Sequence, residues 1–211
     1  TDVDLNEAES YAWSWKNTGT ATVNSDGTVT QSYSVGVEAQ NGTVTLGEAT
    51  ETLGTALEQM SNIKVGGTSY NTWEEAQAAL NGMKLDSTSE DTKRVEITYD
   101  VTISAENAKE AFKNGNTSIF NNRFNIKYET NKDNPKDTGA STSGISITKP
   151  SVSKSGAWNT DASGNKETVT WTITVTLGDL AKFPDFNTDS VKISDTLGEY
   201  LTAAGLPAGV D

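Results

Sequence analysis

Residues 168–177 read T-V-T-W-T-I-T-V-T-L, with Val169, Trp171, Ile173, Val175 and Leu177 at alternate positions and threonine between them. Successive side chains on a strand point to opposite faces. The period therefore predicts a half-buried β-strand with Val169, Trp171, Ile173 and Val175 sharing one dry side. The same alternation returns in Val29, Gln31, Tyr33, Val35 and Val37, and again in Val95, Ile97, Tyr99, Val101 and Ile103. A looser version closes with Phe120, Phe124, Ile126 and Tyr128. Asn41-Gly42 stands between strands expected at 28–40 and 43–46, and that dipeptide favours a tight hairpin. A further strand is expected at Ser190–Asp195.

Helical spacing is confined to short stretches. Leu53, Leu57 and Met60 predict a helix over 48–62. Thr72 with Glu75 fits a capping box opening a helix that runs to Leu80, and Ser104 caps a third over 105–113. The fold class is thus mainly β with a few short helices, built as antiparallel β-sandwich. Residues 131–144 are polar, contain Pro135 and offer no apolar anchor, which reads as a linker. It divides the chain into residues 1–143, a β-rich unit with inserted helices, and residues 144–211. The second stretch holds too few strands for a whole sandwich. Either it is the start of a second module or strands of the first unit complete it.

Composition narrows the chemistry. The chain has 211 residues, 34% of them hydrophobic, and no cysteine or histidine. Thiolate and imidazole nucleophiles, the usual zinc sites and Ser-His-Asp triads are excluded; the residue types still allow Ser/Lys or paired-carboxylate catalysis, but no spacing supports either, and neither enzyme activity nor a cofactor or metal is expected. Asn159–Asn165 resembles half a calcium loop, but Thr170 stands where the bidentate glutamate belongs, and a polar hairpin turn explains the same residues. A net charge of −13 opposes binding to phosphate backbones, so nucleic acid is not an expected partner. No apolar run is long enough for a membrane span, and membrane insertion is not expected.

The threonine-rich strand at 168–177, with Ile193-Ser-Asp195-Thr196-Leu197 and Leu201-Thr202 after it, resembles the Ig-like β-sandwich modules of Gram-positive surface adhesins and pilins of the fimbrial isopeptide-domain family. The resemblance covers residues 144–211. It implies an extracellular protein, cell-wall attached or secreted, that presents a binding surface and bears load. Its partners would be a host or extracellular-matrix protein or glycan, or neighbouring pilin subunits. It also implies Trp171 on a covered face, so an indole found in the open counts against the kinship. Such modules often carry a self-formed Lys-Asn amide beside a buried acid. By resemblance Lys149 and Lys154 match the first-strand lysine and Glu167 the acid. In the first unit, Lys16, Glu96 or Asp100, and Asn121, Asn122 or Asn125 form a second candidate set. Solvated lysines and turn carboxylates remain the alternative for both.

Tyr11-Ala-Trp13-Ser-Trp15 alternates rings with small residues. These rings are expected in the core. The functional alternative is a carbohydrate-binding module in which Tyr11, Trp13, Trp15 or Trp73 forms a stacking platform.

Overall fold

The computed structural model describes residues 8–19, 21–55, 59–142 and 145–199. In chain order the strands and helices are β1 (Tyr11–Thr18), β2 (Thr22–Val23), β3 (Val29–Gln40), β4 (Thr43–Leu53), β5 (Met60–Val65), β6 (Thr68–Tyr70), α1 (Trp73–Leu80), β7 (Lys84–Asp86), β8 (Lys93–Ile103), α2 (Ala105–Asn114), β9 (Asn122–Glu129), β10 (Pro135–Thr142), β11 (Ser151–Thr160) and β12 (Lys166–Thr176). One sheet runs β1-β3-β8-β5-β6 with β2 paired to β3, a second runs β10-β9-β4-β7, and β11 pairs with β12. The pairings are antiparallel throughout these sheets. The protein is therefore mainly β and sandwich-like.

The core lies between the first two sheets. Val35, Val37, Val95, Ile97 and Val101 enter it from the first, and Val44, Leu46, Ala49, Phe124 and Ile126 from the second. Alternation in β3 and β8 predicts this burial residue by residue. Both longer helices form where their caps stand. The Thr72 hydroxyl accepts from the Glu75 amide at 3.3 Å, and the Glu75 carboxylate accepts from the Asn71 amide at 2.8 Å. Ser104 caps α2, which buries Ala108, Ala111 and Phe112. No helix among the described residues is long and apolar enough to cross a membrane.

Four expectations need correction. Asn41-Gly42 does not close a hairpin, since β3 and β4 belong to different sheets. The dipeptide is a corner between sheets, and both residues take positive φ, 63° and 124°. The Ser87 hydroxyl holds it by donating to the Gly42 carbonyl at 2.6 Å. No α-helix forms over 48–55 or 59–62: residues 48–53 belong to β4 and 60–62 to β5, and Leu57 lies outside the described residues. Leu46 pairs with Tyr128 but Ala49 with Ile126, so a bulge at Gly47-Glu48 shifts the inward positions from even to odd. That phase change breaks the period from which the strand could have been read.

Residues 135–142, read within a linker, form β10 along the edge of the second sheet. An edge strand with one face toward water has little need of apolar residues. Residues 143 and 144 lie outside the described stretch. Ser190–Asp195 forms no strand among the described residues: a 3-10 turn at Thr188–Ser190 is followed by irregular backbone. Leu201-Thr202 lie outside the described residues.

The C-terminal stretch is nevertheless tied to the sandwich. Phe183 is buried edge-on against Phe112 of α2, with ring centroids 5.1 Å apart, and Lys109 pairs with Asp185. The Asp179 carboxylate accepts from the Thr148 amide at 2.8 Å. β11 and β12, in contrast, pair only with each other among the described residues.

Candidate functional site

The register of β1 on β3 sets the direction of its aromatic rings. Ala12 faces Ala39 and Ser14 faces Val37, on the core side. Tyr11, Trp13 and Trp15 therefore share the opposite, outer face with Gln40, Glu38 and Gly36. The rings are thus not in the core: on this outer face Tyr11 is exposed, and Trp13 and Trp15 are half-buried. The strand's inner side must fit beside β10, where the Ser14 amide donates to the Thr138 hydroxyl at 2.9 Å, and only small residues suit that approach. A period of two identifies the shared face without saying which one is dry.

The rings form a strip with polar groups alongside. Tyr11 is 41% exposed, and its centroid stands 5.6 Å from that of Trp13 with planes 33° apart. The Tyr11 hydroxyl donates to Gln40 Oε1 at 3.0 Å. Trp15 lies across Gly36, where a Cβ would overlap the indole. The absence of a side chain there lets the ring settle onto the sheet. Arg94 reaches 5.9 Å from the Trp15 ring centre, a cation–π contact. Cross-strand pairing continues the rows outward as Trp13–Glu38–Arg94 and Trp15–Gly36–Glu96.

Beyond the rings the same sheet holds an open trough of about 460 Å³ lined by Ser32, Ser34, Asn62, Lys64, Thr98 and Asp100. Ser34 donates to Glu96 at 2.6 Å, while Ser32 and Asn62 donate to Asp100 at 2.6 and 2.7 Å. Flat apolar rings beside fixed carboxylates, amides and hydroxyls can stack a sugar ring and hydrogen-bond its hydroxyls. Trp73 is not part of this surface. At 6% exposed it anchors α1 in the core.

A second cluster sits on the β11–β12 hairpin. Lys154 Nζ meets both Asp195 oxygens, at 2.8 and 2.7 Å, and lies 4.4 Å from the centre of the Trp171 ring. Trp171 is 43% exposed and Trp158 56%, while Val169, Ile173 and Val175 are half-buried, so the face expected to be dry carries its indoles in the open. The alternation does place Val169, Trp171, Ile173 and Val175 on one side. A two-stranded ribbon has no second layer of its own, and no other sheet covers it among the described residues. This counts against the adhesin kinship as a ground for function.

Family models, curated proteins and solved structures yield no match to this chain. Function must be argued from the geometry.

The remaining candidates are dispersed. Glu96 and Asp100 lie on the outer face of the first sheet, whereas Asn122 is buried between the sheets. The first-unit cross-link set is therefore not brought together. Lys16 is exposed near the end of β1, and Asn121 and Asn125 are half-buried. In the second set Lys149 is exposed against Gly115, and the side chain of Glu167 lies outside the described residues. Nothing in the sequence marks Asp195 as the partner of Lys154, because a strand pattern gives no cue that an irregular segment turns back onto β11. The Asn159–Asn165 loop is a turn. Asp161 accepts from the Asn165 side-chain amide at 2.9 Å and from the backbone amides of Asn165 and Ser163, both at 2.8 Å, and these bonds, the side-chain one foremost, hold its carboxyl below the usual range.

Proposed function

We propose that this chain is a non-enzymatic binding module of an extracellular protein, wall-attached or secreted, and that it holds glycan on the outer face of its first sheet. The observation that carries this reading is the outward strip of Tyr11, Trp13 and Trp15 beside Gln40, Glu38 and Arg94. Rings buried in the core would have removed it. The acidic, cysteine-free composition suits such a location, and the absence of histidine and cysteine leaves the site to recognition by stacking.

Affinity electrophoresis through gels containing neutral cell-wall and matrix polysaccharides tests it. At least one polysaccharide should retard the protein. Trp13→Ala and Trp15→Ala should each weaken that retention by roughly tenfold or more, as expected when a stacking anchor is truncated. Unchanged thermal melting would verify that the variants fold. Free migration in every gel, or variants retained like the parent, would contradict the proposal.

A second reading is favoured by Lys154 and Asp195. In it, residues 144–211 belong to a load-bearing module of an adhesin or pilus, with host or matrix proteins or neighbouring subunits as partners. An amine held 2.7 Å from a carboxylate is placed to form an amide once the pair is dehydrated and the proton has left the lysine. Condensation with a carboxyl releases water, and attack on an asparagine amide releases ammonia. Intact mass distinguishes the outcomes: a deficit of about 18 Da marks the first, about 17 Da the second, and the full sequence mass rejects a bond in this chain.

A further inference from the structure

The bulge in β4 has a chemical consequence. It turns Glu51 inward opposite Phe124, between the two sheets, where Glu51 is 5% exposed. The side chains around it come from three other strands. Tyr99 belongs to β8, Asn122 to β9 and Tyr33 to β3, with the Tyr33 and Tyr99 rings stacked 5.4 Å apart. Asn122 Nδ2 donates to the Tyr99 hydroxyl at 3.0 Å, and the Tyr33 hydroxyl donates to the Phe120 carbonyl.

Three acceptors in this cluster lack a hydrogen bond of ordinary geometry: Oδ1 of Asn122 and both carboxyl oxygens of Glu51, which the Tyr99 hydroxyl, the Asn122 side chain and the Arg123 and Thr52 amides approach without closing one. No lysine or arginine pairs with Glu51 among the described residues. An unpaired carboxylate in a dry core is strongly unfavourable. One proton resolves the excess of acceptors. A carboxylic acid supplies the missing O–H, and Asn122 Oδ1 is an acceptor in want of one.

We infer that Glu51 is a proton-binding site that joins the two sheets, closed when the carboxyl is neutral and loosened when it ionises. Burial pushes its carboxyl up to about 7, while the neighbouring Tyr99 and Asn122 side chains and the Arg123 and Thr52 amides offset only part of that shift. The other titratable groups facing it, Tyr33 and Tyr99, are both driven above the usual tyrosine range, chiefly by burial, and so stay neutral.

The sign follows from proton counting. Between an unfolded value of 4.5 and a folded value of about 7, the folded chain binds more protons. Stability therefore falls as pH rises through that window and levels off above it. The carboxylates held low by hydrogen bonds, Glu9, Glu48, Asp26, Asp161, Asp179 and Asp185, act at lower pH and in the opposite direction. The span 7 − 4.5 = 2.5 corresponds to a roughly 300-fold fall in the folding constant.

Denaturant unfolding from pH 4.5 to 8.5 tests this in the full chain and in Glu51→Gln. The parent should lose stability across the window, and the amide variant, which keeps a donor at that site, should lose little. Equal pH dependence in both, or none in the parent, would overturn the inference. If Glu51→Gln does not fold, carbon NMR of the Glu51 carboxyl in the parent decides. A titration midpoint near 7 supports the inference, and one near 4.5 rejects it.

Discussion

Gly36 shows how one missing side chain shapes the outer face. It lies opposite Trp15 in the register, and the indole occupies the space a Cβ would need. Gly36→Ala should lift the ring off the sheet. Because the position faces outward, stability should change by less than about 1 kcal/mol while glycan retention falls about fivefold. A melting curve and an affinity gel together check both halves. Glu51 is the opposite case, a polar residue that faces inward. Its shift amounts to about 3 kcal/mol lost between acid and neutral pH, by the conversion of pK units to free energy. Neither residue could be assigned from the sequence. Gly36 sits in an alternating strand where glycine looks like a weakness, and Glu51 breaks the apolar period that would have revealed β4.

Strands with uninterrupted phase were legible and those with a phase change were not. β3 and β8 keep alternate residues apolar along their length, and every inward residue named from the pattern is buried. β4 carries the same kind of information in two halves, offset by the bulge at Gly47-Glu48, and the helical spacing of Leu53, Leu57 and Met60 runs from the end of β4 to the start of β5. β10 has no apolar period because its pairing to β9 is satisfied by backbone hydrogen bonds along an edge. β1 and β12 were legible as strands but not in the sign of their faces. Which side is covered depends on what packs there: β10 stands beside β1, and no sheet stands over β12 among the described residues. The candidate sites inherit these limits. Sequence reading included the Tyr11–Trp15 rings as an alternative and Lys154 as a candidate, yet did not mark Asp195 as the partner that lysine meets through tertiary return of the chain.

At the scale of the whole molecule, the fold separates two surfaces of different origin. The outer face of the first sheet combines rings from an edge strand with polar side chains from β3 and β8, on a sheet whose other side is the core. The hairpin of β11 and β12 presents apolar residues that pack against no other sheet among the described residues. Five tryptophans report on this division, each with its own indole N–H signal. The most direct measurement is a nitrogen–proton NMR titration with the polysaccharide fragment that retards the protein most. Trp13 and Trp15 indole signals should shift in a saturable way, with Trp73 unmoved inside the core. Saturable shifts confined to Trp158 and Trp171, or no indole shift at a concentration where retention is complete, would contradict the assignment of the first sheet as the binding face.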